Sequence, residues 1–89
     1  MNLDRPSIKA AIRTKVIDLA KALDMDASEI GDDDIIPATG LLDSASILEL
    51  VVWYEQAYEF PLNQDEINID NLGSIDAMTE FLLSRKSAQ

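Results

Sequence analysis

Residues 44–61 read Ser-Ala-Ser-Ile-Leu-Glu-Leu-Val-Val-Trp-Tyr-Glu-Gln-Ala-Tyr-Glu-Phe-Pro, and this stretch decides the fold. Its apolar residues recur every three or four positions, which is the spacing of one face of an α-helix. Two stripes result: the first contains Ile47, Leu50, Val51, Tyr54 and Tyr58, and the second contains Ala45, Leu48 and Val52. Pro61 stops the pattern, because proline cannot continue a helix. We therefore predict a helix over about residues 44–59.

The segments on either side of this helix repeat the helical pattern. Upstream, apolar residues between positions 8 and 23 recur at helical spacing, and Asp4 and Pro6 suit a helix start. Downstream, Ser74 can cap a last helix. We predict helices over about 6–23, 64–69 and 74–85, and a long loop over about 24–43.

These elements predict an all-α fold, a small three- to four-helix bundle with a long loop between its first and second helices. No segment alternates between polar and apolar residues as a strand does. A length of 89 residues predicts one domain, 1–89. A loop of this length needs anchors. The expected anchors are Ile30, Ile35, Ile36, Leu41 and Leu42.

Charge and missing residue types exclude several functions. Seventeen acidic residues against seven basic ones give a formal charge of −10, which disfavours nucleic acid and anionic membranes. Such a charge favours protein partners with basic patches, and the alternative is that it only provides solubility. Without cysteine or histidine, the chain lacks a thiolate, the usual general base and the commonest metal ligand. The acidic run 32–34 lacks the ligand spacing of a calcium loop, so no metal site is predicted. We expect a monomer that is not an enzyme.

No part of the sequence predicts export or membrane insertion. Residues 1–6 lack the apolar core of a signal peptide, and no apolar run reaches the length of a membrane span. We therefore expect a cytoplasmic protein.

Ser44 lies where the loop ends and the central helix begins, in Gly40-Leu41-Leu42-Asp43-Ser44. Serine is among the commonest N-caps, so the local pattern alone favours a plain cap. Asp43 can cap in its place and leave the hydroxyl free, and a phosphate on that hydroxyl would lie at a helix start, where anions are favoured.

Together with the following Ile47-Leu48-Glu49-Leu50-Val51, Glu55, Phe60 and Pro61, this motif resembles the acyl carrier protein family over about residues 8–83. The resemblance implies that a phosphopantetheinyl transferase attaches 4'-phosphopantetheine to Ser44, and that Asp43 flanks the arm and helps the transferase to recognise it. An adenylating ligase or acyltransferase would load the arm, and downstream synthase enzymes would receive the cargo. The partner contacts implied are Ala45, Leu48, Glu49, Val52 and Gln56.

The Gly-Leu-Leu-Asp-Ser motif is more similar to D-alanyl and other aminoacyl carriers, and to discrete carriers of secondary metabolism, than to fatty-acid carriers. Ala45 and Gln56 depart from the family, which usually has a larger apolar residue and an acidic residue there. The rival hypothesis is an acidic helical interaction domain in which Ser44 is a plain N-cap. For Leu48 and Val52, packing in the core is a further alternative.

Overall fold

The chain folds as the predicted small all-α bundle. The computed structural model describes residues 4–87 (for residue 87 its backbone only), and no β-strand occurs among them. The helices are α1 (Arg5–Ala22), α2 (Ile36–Thr39), α3 (Ser44–Ala57), α4 (Ile69–Leu72) and α5 (Ile75–Ser87), with a 3₁₀ helix (Gln64–Glu66) between α3 and α4. Residues 1–3, 88 and 89 lie outside the described residues. The predicted domain 1–89, and the prediction that residues 1–6 hold no signal peptide, include some of these residues.

The first helix, α1, begins and ends within one residue of its predicted bounds, 6–23. The Asp4 carboxylate accepts a hydrogen bond from the Ser7 backbone N–H at 3.2 Å, and Pro6 lies in the first turn. The chain turns away after α1 because Asp24 adopts a left-handed conformation, with φ of 58°. The buried face of α1 packs against both α3 and α5.

The predicted loop 24–43 contains an additional short helix, α2, which corrects the sequence prediction. Pro37 suits the first turn of α2, and Gly40 ends it with φ of 74°. The anchors Ile30, Ile36 and Leu42 are buried, and Leu41 is half-buried. Ile35 is 40% exposed, so its predicted anchoring role is wrong. It is the N-cap residue of α2, where the chain enters the helix from outside the core.

The core-facing stripe of α3 is the predicted one. Leu50, Val51, Tyr54 and Tyr58 are buried, and Ile47 is half-buried. The Tyr54 hydroxyl donates a hydrogen bond to the Met78 carbonyl oxygen of α5 at 2.8 Å. Burial raises the pKa of Tyr54, so this donor stays protonated. The helix ends at Ala57, two residues early, because Glu59 adopts a left-handed conformation with φ of 48°.

Of the predicted helix 64–69, only the 3₁₀ helix Gln64–Glu66 forms within those bounds, and α4, which begins at Ile69, was not predicted. Asn68 separates them, because it caps α4 by accepting a hydrogen bond from the Asn71 backbone N–H at 2.8 Å. The last helix, α5, extends two residues past the predicted 74–85, and the Ser74 hydroxyl accepts a hydrogen bond from its first turn at 3.0 Å. No helix within residues 4–87 has both the length and the apolar character needed to cross a membrane.

Candidate attachment site and docking surface

Asp43 is the N-cap residue of α3. Its backbone is extended, with φ of −87° and ψ of 177°, and its Oδ1 accepts a hydrogen bond from the Ser46 backbone N–H at 2.8 Å. This bond favours the ionised carboxylate, so it holds the pKa of Asp43 below its ordinary value. The carboxylate thereby satisfies one of the backbone donors that have no partner inside the helix.

Ser44 is the first residue of α3, and it does not cap the helix. Its side chain is exposed, and its hydroxyl makes no hydrogen bond within residues 4–87. The alternative in which Ser44 is the N-cap is therefore wrong, since Asp43 fills that position. The free hydroxyl lies at the positive end of the helix dipole, where an attached anion is favoured.

The residues that lead into Ser44 are held by their own contacts. The Thr39 hydroxyl donates a hydrogen bond to the Ile36 carbonyl oxygen at 2.7 Å and accepts one from the Leu41 backbone N–H at 3.2 Å. Leu42 is buried in the core. The segment that precedes Ser44 is therefore held by the hydrogen bonds of Thr39 and by the burial of Leu42, and it places Ser44 at the surface.

The second stripe of α3 faces outward. Leu48 is 62% exposed, Val52 is 41% exposed, and Ala45 is also exposed. Core packing of Leu48 and Val52 is therefore wrong. Glu49 and Gln56 are exposed beside the stripe, so the five predicted contact residues border one surface.

An open depression of about 530 Å³ runs along this surface between α1 and α3, and we call it the α1–α3 depression. Its lining consists of Lys15, Ala45, Leu48, Glu49, Val52, Trp53 and Gln56. The Trp53 ring packs edge-on against Tyr58, with ring centres 6.0 Å apart. Lys15 and Trp53 are not among the predicted site residues. A helical pattern shows which residues share a face, but it does not show which residue of a neighbouring helix lies beside that face.

A smaller cavity of about 190 Å³ lies against a different face of α3. Its apolar lining consists of Pro37, Ile47, Val51, Ile67, Ile69 and Leu72. Ile67 and Ile69 are 44% and 57% exposed, so they form an apolar rim. No charged side chain of the described residues lines this cavity.

Most basic side chains are paired with carboxylates away from α3. The pairs are Arg5 with Glu80 at 2.5 Å, Lys9 with Asp76 at 2.7 Å, Arg13 with Asp32, and Arg85 with Glu66. Four of the seven basic residues are thus neutralised locally. The helix α3 carries Glu49 and Glu55 and contains no lysine or arginine. The side chains of α3 itself therefore contribute only negative charge to this surface, and Lys15 of α1, which is unpaired within residues 4–87, adds one positive charge to the depression.

Comparison of the chain with protein-family models, curated proteins and solved structures gives no match. The resemblance to acyl carrier proteins therefore stays a prediction.

Proposed function

We propose that this chain is an acyl carrier protein, which holds acyl or aminoacyl intermediates as thioesters on a 4'-phosphopantetheine arm attached to Ser44. One observation carries the proposal. Asp43 caps α3, and the Ser44 hydroxyl is exposed and makes no hydrogen bond within residues 4–87. Because the Ser44 hydroxyl is not used to cap the helix, it is available for covalent modification.

The start of α3 suits the phosphate of a 4'-phosphopantetheine arm. Attachment from coenzyme A joins Ser44 Oγ to the phosphorus of the arm, releases the hydroxyl proton, and expels adenosine 3',5'-bisphosphate. The new phosphodiester lies at a helix N-terminus, where the dipole and the unpaired N–H groups favour anions. The Asp43 carboxylate is bound to the Ser46 N–H, which offsets part of its charge beside the phosphodiester.

In this proposal the chain supplies the attachment point, and the transferase and the arm supply the reactive groups. It contains no histidine and no cysteine. In this proposal the transferase provides the base that accepts the hydroxyl proton, and the arm provides the thiol that forms the thioester. The role of this chain is to hold the cargo and to present it, which raises the effective concentration of cargo at an enzyme that docks nearby.

Docking would use the exposed stripe of α3. Leu48 and Val52 offer apolar contact on the same helix as Ser44, and Glu49 adds a charge beside them. The proposed partners are the transferase, an adenylating ligase or acyltransferase, and downstream synthase enzymes. A chain with a net charge of −10 would meet partners that carry basic patches quickly, because long-range attraction raises association rates.

The test is intact-mass measurement after incubation of the full chain with coenzyme A and a broad-specificity phosphopantetheinyl transferase. We expect one phosphopantetheine on the wild type and on Ser84→Ala, and none on Ser44→Ala. Ser84 is a matched control because it is an exposed serine within a helix, α5. An unchanged wild-type mass with several transferases, or modification of Ser44→Ala, would refute the proposal.

A second candidate is a non-enzymatic acidic interaction domain, and the exposure of Leu48 and Val52 favours it as well. Such a domain needs a docking stripe but no arm. It predicts that no transferase modifies the chain and that Ser44→Ala binds partners as the wild type does, so the same mass measurement separates the two candidates.

A further inference from the structure

The α1–α3 depression carries two opposite charges, one from each helix. Lys15 belongs to α1 and Glu49 to α3, and the rest of the lining is mainly apolar. Within it, Leu48 and Val52 are 62% and 41% exposed. The depression is therefore an apolar surface bordered by one ammonium group and one carboxylate.

Neither charge has a partner among residues 4–87. Lys15 and Glu49 make no ion pair and no side-chain hydrogen bond within residues 4–87, although the Lys15 side chain is only partly exposed. The other basic residues in the first three turns of α1 are all paired, namely Arg5, Lys9 and Arg13. Lys15 is thus a free cation in a partly enclosed position, where a carboxylate from another molecule would be attracted.

The pair of charges restricts what fits the depression. Nucleic acids and anionic lipid surfaces are repelled by a chain of net charge −10. A uniformly basic protein surface suits Glu49 but places a cation against Lys15, and like charges brought together at an interface disfavour a complex. The best match carries both signs around an apolar group.

We infer that the α1–α3 depression receives an apolar side chain of a partner protein, flanked by a carboxylate that pairs with Lys15 and by a cation that pairs with Glu49. The inference rests on the proposed carrier function, because it names the chemistry of the partners that would dock beside the attachment serine. Ala45, which directly follows Ser44, lines the same depression. A partner seated there is therefore close to the arm.

The two charge pairs also fix the orientation of the partner. Each pair at a partly exposed site changes Kd by about 1.5- to fivefold. If the partner is rotated by half a turn on the surface, its cation faces Lys15 and its carboxylate faces Glu49, so two attractive pairs become two repulsive ones. Affinity is then lower in the rotated orientation.

The test is a double-mutant cycle with a synthetic peptide. The probe is a helical peptide whose leucine is flanked by aspartate one turn before it and by lysine one turn after it. Binding to the full chain is followed by the fluorescence of Trp53, which is the only tryptophan and lines the depression. The cycle combines Lys15→Gln with replacement of the peptide aspartate by asparagine, and this design isolates the pairwise contribution.

We expect Lys15→Gln to weaken binding of the aspartate peptide by about two- to fivefold and to leave the asparagine peptide within about 1.5-fold. A second cycle, with Glu49→Gln and replacement of the peptide lysine by glutamine, should show the same coupling. Lys21→Gln is the matched control, because Lys21 is an exposed lysine of α1 that does not line the depression. It changes the net charge equally and should show no coupling to either peptide residue.

Coupling that is absent from both cycles would overturn the inference, and so would a Trp53 signal that does not respond to the peptide. Equal coupling for Lys21 would also overturn it, because the effect would then come from net charge alone. Ser44 modification is measured on the same preparations. A modified chain without coupling refutes only this inference, whereas an unmodified chain refutes the proposed function whatever the peptide result.

Discussion

Leu48 and Leu50 lie two positions apart on α3, so truncating each to alanine compares the exposed face of this helix with its core face. Leu50 is 2% exposed and Leu48 is 62% exposed. Both substitutions remove the same three carbon atoms from the same helix, and both introduce alanine, the best helix former. Any difference in the free energy of unfolding therefore comes from burial.

The expected magnitudes follow from these exposures. Burying a methylene group stabilises by about 0.8 kcal/mol, so three fully buried carbons contribute about 2.4 kcal/mol. The cavity left by Leu50→Ala raises its cost to about 3 kcal/mol or more. Little more than a third of Leu48 is buried, and solvent fills the space it leaves. Leu48→Ala should therefore cost less than about 1 kcal/mol.

Urea denaturation followed by circular dichroism measures both costs, provided that the slope of the transition is unchanged. In a thermal scan, about 1 kcal/mol shifts the midpoint by about 4–8 °C in a domain of this size, so the two variants should differ by at least 8 °C. In the transferase assay, Leu48→Ala should slow modification of Ser44 with little loss of stability. Equal destabilisation by Leu48→Ala and Leu50→Ala would refute the assignment of two faces.

Three further substitutions test residues at the ends of helices. Asp43→Ala should lower stability at neutral pH. The folded state holds the pKa of Asp43 below its ordinary value of 3.8, so this contribution is complete above that pH and is lost as the pH falls below it. The difference in urea midpoint between wild type and variant should therefore shrink as the pH is lowered below 3.8, and a difference that does not shrink would contradict the capping role. Asp24→Gly should raise the free energy of unfolding by about 0.5–1 kcal/mol, because glycine accepts the left-handed φ of 58° without strain; a lowered Tm would contradict this. Gly73→Ala should destabilise by more than about 1 kcal/mol, because a Cβ there would lie 2.4 Å from the Ile69 carbonyl oxygen; an unchanged urea midpoint would contradict it.

The three long helices were predictable from the sequence because each has a clear helical period and recognisable end signals. Asp4, Ser74 and Pro61 lie near the ends of these helices, where capping and chain-breaking residues belong. The short helix α2 was not predictable in this way. Four residues make little more than one turn, so they show no period, and their apolar residues resemble those of an anchored loop.

The candidate site likewise has features that the local sequence predicts and features that depend on tertiary packing. The sequence predicts that either Asp43 or Ser44 caps α3, because both residue types cap well. Only the backbone geometry assigns the cap to Asp43. Lys15 could not be predicted, because its place in the depression that Glu49 also lines depends on how α1 packs against α3. Periodicity indicated two apolar stripes on α3, and burial then distinguished the core stripe from the exposed one.

The net charge of the chain affects what can bind to the exposed stripe of α3. An apolar surface formed by Leu48 and Val52 would ordinarily favour association between copies of the same chain. Two copies of net charge −10 repel one another, however, and α3 adds acidic residues and no basic ones beside the stripe. This repulsion opposes self-association through the stripe. In the proposed docking, a partner that covers the stripe supplies a cation for Glu49 and a carboxylate for Lys15. The charge that opposes association between copies would then also select the partner.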